Sequence, residues 1–536
     1  MPSDPAATAP STETVSAPAG DGLVCSVDRL ASEAGIELLR AGGNAVDAAI
    51  ATSAALAVTT PHMCGMGGDL FALVHDANGP PSALNASGRA GSGADPDRLR
   101  AEGHHEMPFR DDVRSAPVPG CVDGWVALHE RFGRLGMSDV LAPARRLASE
   151  GFPASPFLAF MAPTLDGVEG CDELVGRNFA PNERIERPGV ARMLAAVADG
   201  GRAAFYQGEF GERLLEVGRG EYSPDDLAGP SADWVDALGL PVWGHDVWTT
   251  PPNSQAYLSL AAAGIAERVS GEQLPDVDDP TWAHLLIEAA RLAGADRDAV
   301  LSDRADGATL IGKDRLDAAA AAFRPDSVAD LSTRQRDGGT IYLCAVDGEG
   351  SGVSLIQSNA SGFGCHVAVP GTGILLHNRG IGFSLEPGHP AEYGPGRRPP
   401  HTLSPALVTR GDGSLRTVLG TMGGDSQPQV VLQMLARLLA GGETPGSVIG
   451  APRWVLTTPG NRGFDTWKDP AAHVVRLEAH SPSGWAEGLE ARGHRVDVAG
   501  PDPAGFGHAH CIERAPDGSL GGAADPRAII GAALAS

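Results

Sequence analysis

One threonine stands where a polar segment gives way to an apolar strand. Residues 325–339 read PDSVADLSTRQRDGG and lack apolar periodicity, which predicts an exposed, flexible segment, whereas IYLCAVD follows from residue 341. Amide hydrolysis needs a nucleophile, an adjacent base and donors for the oxyanion. A threonine at a chain terminus supplies the first two, because its own α-amine, with a pKa of about 8, can accept the hydroxyl proton.

Cleavage between Gly339 and Thr340 would create such a terminus. Gly338 and Gly339 supply the backbone freedom that a strained scissile bond requires. Thr340 would then open a buried strand with both its hydroxyl and its amine available. From these residues alone, the simpler interpretation is a threonine that flanks a hairpin after a glycine turn.

A second candidate region places a glycine loop between a strand and a helix. Residues 416–419 are predicted as a strand and residues 420–425, which contain Gly423 and Gly424, as a loop. A helix should begin with Ser426 as its N-cap and Gln429 closing a capping box, and should continue to about residue 439. A strand, a glycine loop and a helix start therefore lie in series.

The elements that precede the threonine begin with two helices. Asp28 can cap a helix that ends near Arg40, and the nearly all-apolar stretch Ala45 to Val58 predicts a second, buried helix. A glycine-rich loop, Thr60 to Gly68, then leads into a strand from Leu70 to His75. The order helix, helix, loop, strand indicates helices packed against a sheet.

The threonine itself should open a hairpin. IYLCAVD and GVSLIQS are apolar on both faces and are joined by the turn DGEGSG, which predicts two strands of a covered sheet. Between residues 91 and 324, Pro/Gly-rich connections alternate with helical patches, with no internal repeat. Those patches include Trp125 to Phe132, Arg192 to Asp199 and Thr281 to Ala293.

Composition excludes some function classes. The 536 residues carry a formal charge of −26, with only two lysines, so the chain lacks the basic surface that nucleic acid requires. An apolar fraction of 42% is ordinary for a globular protein with a substantial core. The longest apolar stretch, Ala45 to Val58, is too short to cross a bilayer. We therefore expect no nucleic-acid or membrane partner.

Cysteine usage and the N-terminus favour a cytoplasmic protein. The seven cysteines are widely spaced and odd in number, which fits reduced thiols better than a disulfide framework. Residues 1–22 have neither a basic start nor an apolar core, so they are predicted as a disordered tail rather than a signal peptide. The clusters His104-His105-Glu106 and His508/His510/Cys511 lack a partner pair at zinc-finger spacing, and we expect no metal and no cofactor.

Several long motifs, taken in order, resemble the γ-glutamyltransferase (γ-glutamyltranspeptidase) family. They are GGNAVDAAIATSAALAVTTPHMCGMGGDLF from residue 42, GTIYLCAVDGEGSGVSL from residue 339, GFGCHVAVPGTGILLHN from residue 362, RRPPHTLSPAL from residue 397 and GTMGGDSQPQ from residue 420. The resemblance implies an α+β fold, the four-layer αββα sandwich of N-terminal-nucleophile hydrolases. It also implies one precursor split into a large subunit, residues 23–339, and a small subunit, residues 340–536.

The same resemblance assigns roles within the small subunit. Thr340 matches the family's nucleophile, and Gly423 and Gly424 match the paired glycines whose amides form the oxyanion hole. A plain turn is the alternative interpretation of the two glycines. Ser358 matches a hydroxyl that supports the nucleophile. The family's supporting asparagine falls on Ala360; Asn359, one position earlier, would replace it, although a shift of one residue along a strand reverses the face.

The departures from the family concentrate where its γ-glutamyl group is held. The aspartate that binds the substrate α-amine corresponds to Gly382, and a neighbouring amide residue corresponds to Arg379. The serine pair becomes His401-Thr402. The arginine that clamps the α-carboxylate falls near Ser87, with Arg89 two positions on. An ammonium site is thus lost and a cation gained.

These substitutions lead to a hypothesis about the substrate. Arg379, Arg89 or His401, with Thr402 beside it, would hold an acyl group that carries a carboxylate and needs no α-amine, as in a glutaryl-type amide. A structural ion pair for Arg379 and a structural role for His401 are the alternatives. Glutathione or another γ-glutamyl compound remains the closest competing substrate. A different class of protein, an uncleaved and non-catalytic binding protein with the same fold, is the rival hypothesis.

Overall fold

A computed structural model of the full-length chain describes residues 12–77, 79–180, 182–271, 273–329, 340–459, 464–500 and 505–536. Gly339 and the rest of residues 330–339, which include the predicted cleavage site, lie outside these described residues. The strands are β1 (Thr14–Ala17), β2 (Leu23–Ser26), β3 (Asp69–His75), β4 (Ser82–Ala86), β5 (Phe152–Pro153), β6 (Arg184–Ile185), β7 (Asp233–Asp236), β8 (Leu238–Val242), β9 (His245–Thr249), β10 (Ile341–Val346), β11 (Gly352–Ser358), β12 (Ala368–Val369), β13 (Ile374–Leu375), β14 (Ala406–Thr409), β15 (Leu415–Thr421), β16 (Trp454–Thr457), β17 (Val474–Glu478), β18 (Arg495–Ala499), β19 (Ala509–Arg514), β20 (Leu520–Ala524) and β21 (Ala532–Ala535).

The α-helices lie mostly in the first two-thirds of the chain. They are α1 (Arg29–Arg40), α2 (Ala45–Thr59), α3 (Pro96–Ala101), α4 (Cys121–Phe132), α5 (Met137–Glu150), α6 (Pro156–Met161), α7 (Pro188–Tyr206), α8 (Glu209–Gly218), α9 (Pro224–Ala228), α10 (Tyr257–Ser270), α11 (Pro280–Gly294), α12 (Arg297–Val300), α13 (Gly307–Leu310), α14 (Lys313–Ala322), α15 (Gln427–Leu435), α16 (Pro445–Gly450) and α17 (Ser483–Ala491). Short 3₁₀ turns connect several of them, and a π-helical turn, Ala436–Ala440, extends α15.

Two antiparallel sheets form the centre of the molecule. One has the strand order β1-β20-β19-β15-β14-β9-β8, and the other has the order β21-β2-β10-β11-β3-β4-β7. The second sheet pairs the N-terminal strands of the large subunit directly with the β10–β11 hairpin. The predicted subunits are therefore interleaved in one sheet, so cleavage between them would not separate the two pieces.

Three apolar cores divide the molecule into four layers. Helices α1, α2, α4, α5 and α7 cover the outer face of the second sheet, and α10, α11, α14 and α15 cover the outer face of the first. The third core fills the space between the sheets and contains Phe71, Tyr342, Ile356, Leu407 and Val418. The order helix, sheet, sheet, helix confirms the predicted αββα sandwich.

The first two helices form where their capping residues and apolar runs predict them. The Asp28 carboxylate accepts the backbone N–H of Leu30 and begins α1. Asn44 caps α2, every residue of which is buried, in agreement with the predicted apolar helix. The hairpin prediction is also confirmed, because β10 and β11 pair antiparallel and both are fully buried.

The predicted disordered tail is wrong for its second half. Residues 14–17 form β1 and pair with β20 at the edge of the first sheet. Low apolar content predicted disorder, but an edge strand needs only backbone hydrogen bonds and one buried side, here Ala17. Residues 1–11 lie outside the described residues. Of the helices that are described, none is long and apolar enough to span a bilayer.

The space between the sheets is closely packed, and Gly420 tests that packing. A Cβ at Gly420 would lie 2.5 Å from the Tyr342 ring, so Gly420→Ala should lower the free energy of unfolding by about 1–3 kcal/mol. Gly521→Ala is the matched control, since a Cβ on that strand glycine meets nothing within 4 Å. Chemical denaturation should distinguish the two variants, and equal stability would contradict the packing.

Candidate active site

Three polar residues form a row across one end of the second sheet. Thr340 directly precedes β10. Ser358 is the last residue of β11, and it is paired with Asp69, the first residue of β3. Their side chains share the face of Tyr342 and Phe71, which belong to the core between the sheets, because side chains two residues apart point the same way. All three polar residues are fully buried. The row therefore lies at the end of the inter-sheet space.

Ser358 joins the candidate nucleophile to a cation. Its Oγ lies 3.1 Å from Thr340 Oγ1. The same oxygen accepts the backbone N–H of Ala360 at 2.8 Å and the Nη2 of Arg379 at 3.2 Å. The hydroxyl predicted to support the nucleophile is therefore in place, and Arg379 is one hydrogen bond further away.

Arg379 is a buried guanidinium whose direct partners are uncharged. It is 1% exposed, donates from Nη1 to Thr402 Oγ1 at 3.1 Å and lies 4.9 Å from the centre of the Phe464 ring. Within the described part of the chain its Nε has no hydrogen-bond partner. Burial lowers the pKa of Arg379 to about 10, although Asp69 and Asp425 oppose this through space. The group stays protonated at neutral pH.

Arg379 and Thr402 line a cleft of about 240 Å³, together with Arg297 and Gly382. A Cβ at Gly382 would lie 2.4 Å from the carbonyl oxygen of Pro400, so no larger residue fits there without movement of the backbone. The position that carries an aspartate in the family is thus closed to a side chain. The cleft lining contains the cations Arg297, Arg379 and Lys468, and its carboxylates come from other positions, among them Asp298 and Asp465.

The glycine loop follows β15 with two consecutive positive φ angles. Gly423 has φ 135° and Gly424 has φ 57°, and among the described residues no acceptor contacts either backbone N–H. A Cβ at Gly423 would lie 2.3 Å from Ser426 Oγ. Glycine is therefore required, and the two free N–H groups are available to an oxyanion.

The predicted capping box at the start of this helix is wrong. Ser426 lies inside a 3₁₀ turn with helical φ and ψ, and its Oγ donates to the carbonyl of Gly423 at 2.8 Å. Gln429 instead donates to the carbonyl of Asp425. A capping box needs an extended N-cap residue, and the turn after the two glycines removes that conformation.

Buried polar groups hold the glycine loop against the cleft. Gln255 Nε2 donates to the carbonyl of Gly424 at 3.3 Å, and Arg297 Nη2 donates to Gln255 Oε1 at 3.0 Å. Asp425 accepts the N–H of Thr466 at 2.9 Å and lies 3.8 Å from Arg297. Burial raises the pKa of Asp425 to about 6, against the attraction of Arg297.

His401, predicted to contact substrate, belongs to a buried network instead of the cleft lining. Its Nδ1 accepts the N–H of Leu403, so its Nε2 carries the hydrogen that Asp69 accepts at 2.9 Å. Burial, followed by repulsion from Arg379, lowers the pKa of His401 to about 3, and the ring is neutral. Although burial raises the pKa of Asp69, His377 and His401 bring it below its ordinary range.

Asn359 does not take the place of the family's asparagine. Its Nδ2 donates to the carbonyl of Pro61 at 3.2 Å, and its backbone N–H donates to Met63 at 2.9 Å. Its side chain packs on Gly68, on the side of the glycine-rich loop that precedes β3. The alternation along β11 explains this placement, because Ser358 already points to Thr340.

Arg89 is likewise placed elsewhere. It pairs with Asp233 at 2.9 Å and donates to the carbonyl of Gly396, with 43% of its side chain exposed. Arg398 shares the same Asp233 carboxylate. Arg89 is not part of the cleft lining that contains Arg379.

Sequence reasoning missed the groups that support the site. Asp69 directly follows the paired glycines of the first long motif, a polar residue at the start of an otherwise apolar strand, and that position could have identified it. Gln255, Arg297 and His377 carried no such signal. In the described ranges, no three His, Cys, Asp or Glu side chains come together as a metal site would require.

Known proteins resemble this chain along nearly its whole length. The model of the Gamma-glutamyltranspeptidase family matches residues 31–535. The chain is 35% identical to the glutathione hydrolase-like YwrD proenzyme of Bacillus subtilis over 94% of this chain and 97% of that protein. It is 34% identical to the oxamate amidohydrolase proenzyme of Klebsiella pneumoniae, with the same coverage. The crystal structure of cephalosporin acylase from Bacillus halodurans superposes with a TM-score of 0.88, at 32% identity, over 100% of this chain and 98% of that one.

Asp425 should make stability depend on pH. Because its folded pKa of about 6 exceeds the ordinary value of 3.8, its contribution is present below pH 4 and is lost as the pH rises through 6. Relative to the wild type, Asp425→Asn should therefore gain about 2–3 kcal/mol between pH 4 and pH 7, measured by chemical denaturation.

Asp412 provides a control of opposite sign. It is exposed, and hydrogen bonds from Ser414 lower its pKa. The free energy of unfolding of Asp412→Asn should therefore fall relative to the wild type as the pH rises toward about 4, and the difference should stay level from there to pH 7. Parallel stability curves for wild type and Asp425→Asn would contradict the raised pKa.

Proposed function

Since this chain belongs to the γ-glutamyltranspeptidase family, we propose that it is cleaved between Gly339 and Thr340 and that Thr340 is its nucleophile. The protein is an N-terminal-nucleophile amidohydrolase made as a proenzyme, as the curated relatives are. The rival hypothesis, an uncleaved and non-catalytic binding protein, is not favoured, because the relatives are enzymes. The large subunit would be residues 23–339 and the small subunit residues 340–536.

The proposed reaction uses groups that are already adjacent. The Thr340 hydroxyl attacks the amide carbonyl, and the freed α-amine accepts its proton. The backbone N–H groups of Gly423 and Gly424 stabilise the oxyanion, and Ser358 holds the attacking oxygen at 3.1 Å. The ammonium then protonates the leaving amine, and water releases the acid from the acyl-threonine.

The substrate that we propose is an amide whose acyl group carries a carboxylate. The observation that carries this proposal is Arg379, a buried cation that lines the cleft and reaches Ser358 beside the nucleophile. In the described part of the chain, no carboxylate is hydrogen-bonded to it. Thr402 holds the guanidinium on its other side. Gly382 leaves no carboxylate there to bind a substrate ammonium.

Half-amides of dicarboxylic acids fit this chemistry, from oxamate to glutaryl amides. Oxamate, on which the Klebsiella relative acts by name, is the shortest such compound. Glutathione also carries a carboxylate, but its γ-glutamyl group brings an α-ammonium for which Gly382 offers no partner. It is therefore the second candidate substrate rather than the first.

Processing is tested by Thr340→Ala. Wild-type protein should give two bands, at about two-thirds and one-third of the chain length, and a new N-terminus at Thr340 on intact-mass measurement. Thr340→Ala should remain one band, because neither attack nor proton transfer is possible without the hydroxyl. Thr340→Ser keeps that hydroxyl and is the matched control, which should still be cut. A full-length wild type would refute the cleavage.

Substrate choice is tested by Arg379→Gln with two amides of the same leaving amine. For the glutaryl amide, kcat/KM should fall by about 10–100-fold, the value of a charge-assisted hydrogen bond. For the pentanoyl amide, which has a methyl group in place of the carboxylate, it should change by less than about 3-fold. Rates are compared at a pH where both enzymes have reached their plateau.

Lys468→Gln is the control for charge in the cleft, since Lys468 lines it and pairs only loosely with Asp465, at 3.7 Å. Its effect on the glutaryl amide should be small. Equal losses for both amides in Arg379→Gln would show that Arg379 does not bind the acyl carboxylate.

A further inference from the structure

Arg379 touches both the cleft and the hydrogen-bond partner of the nucleophile. Its Nη2 donates to Ser358 Oγ at 3.2 Å, and that oxygen lies 3.1 Å from Thr340 Oγ1. The guanidinium is thus two consecutive hydrogen bonds from the reacting residue. A cation so close, inside a buried site, acts on the protonation of any amine at Thr340.

We propose that Arg379 keeps the α-amine of Thr340 neutral and able to accept a proton in the free enzyme, and that a substrate carboxylate then strengthens it as a base. This rests on the proposed function, in which Thr340 becomes the N-terminus. Because Arg379 acts on Thr340 through Ser358, it is in this respect a positioning residue, in addition to binding the acyl carboxylate.

The other charged groups near Thr340 have direct hydrogen-bond or ion-pair partners. Asp69 accepts hydrogen bonds from His401 and from the N–H of Gly88, and Asp425 faces Arg297. Among the described residues, other titratable groups at this end of the two sheets include His62, His377, His508, His510 and Asp525. Burial lowers the pKa of His62 and of His510 to about 3, His377 lies 3.4 Å from Asp69, and Asp525 is paired with Arg453 and Arg527.

Arg379 differs from these groups because, among the described residues, its hydrogen bonds go only to hydroxyls. Its positive charge therefore disfavours a second positive charge on the α-amine of Thr340. The amine is then neutral at neutral pH, which a general base requires. The charge that performs this function is the same one that the acyl carboxylate neutralises on binding.

The proton transfer that accompanies the attack explains why a carboxylate on Arg379 would help the reaction. As Thr340 Oγ1 bonds to the carbonyl carbon, the carbonyl electron pair moves to oxygen and the hydroxyl proton moves to the amine. An ammonium forms at that moment, and it would be repelled by an uncompensated Arg379. A carboxylate bound to Arg379 removes that repulsion, so the attack is favoured when a correctly charged acyl group is in place.

The test is the acid limb of the pH–rate profile of the wild-type enzyme. The limb of kcat/KM reports the amine in the free enzyme, and the limb of kcat reports it in the complex. With a glutaryl amide, the kcat limb should lie about one pH unit above the kcat/KM limb. With a pentanoyl amide, the two limbs should coincide, because no carboxylate reaches Arg379.

Variants of Arg379 provide the second measurement. Arg379→Gln should move the midpoint of the acid limb of kcat/KM to a pH about one unit higher. In Arg379→Lys, which keeps the charge, the midpoint should lie close to the wild-type value. Lys468→Gln removes a cleft cation that has no hydrogen bond to Ser358 and should move the limb by less than about a third of a unit.

The outcomes separate this inference from the proposed function. Intact-mass measurement first establishes the cut at Thr340 and its acyl adduct, and failure there refutes the proposed function itself. If both are present but the two wild-type limbs coincide for the glutaryl amide, the role of Arg379 in setting the base is wrong. The wild-type comparison decides this even if Arg379→Gln is not processed.

Discussion

The hydrogen bond between Thr340 Oγ1 and Ser358 Oγ depends on the register of one hairpin. Ile341 is paired with Gln357, which places Thr340 beside Ser358 on the face between the sheets. A slip of one residue would turn either side chain toward the helices, since alternate residues of a strand face opposite ways. Contacts on both faces fix the register. Gln357, the residue before Ser358, points to the helical layer, where it forms hydrogen bonds with Ser53 and Cys64. The chemistry therefore depends on packing that extends well beyond the site.

Sequence patterns predicted the elements better than the contacts between them. The β10–β11 hairpin and α1 followed from apolar runs and from the Asp28 cap, which act over a few residues. Asn359 was predicted to replace the family's asparagine, but it contacts Pro61 and Met63, as the alternation of faces along a strand would favour. The pairing of Asp69 with His401 spans 332 residues, and that of Arg89 with Asp233 spans 144. Such partners are set by the way the sheets pack, and no local pattern specifies them.

The start of α15 shows how a functional loop overrides local preference. Ser426 and Gln429 have the spacing of a capping box. The positive φ angles of the two preceding glycines lead to a 3₁₀ turn at this point instead. The turn leaves the N–H groups of Gly423 and Gly424 without acceptors in the described structure. Unpaired buried donors are costly, typically by about 1–3 kcal/mol each. A loop that keeps them needs external support, and Gln255 supplies it through the carbonyl of Gly424.

Two buried charges, Asp69 and Arg379, lie on opposite sides of Ser358 and have different kinds of partner. On the β3 side of Ser358, the Asp69 carboxylate is satisfied by His401 and the N–H of Gly88. On the cleft side, the partners of Arg379 among the described residues are two hydroxyls and a phenylalanine ring. A buried guanidinium without a bonded anion is less stable than one with such a partner, so the fold leaves a favourable interaction unmade. A carboxylate of the substrate can make this interaction. The distance between Arg379 and Thr340 then determines which acyl groups place their carbonyl carbon at the nucleophile.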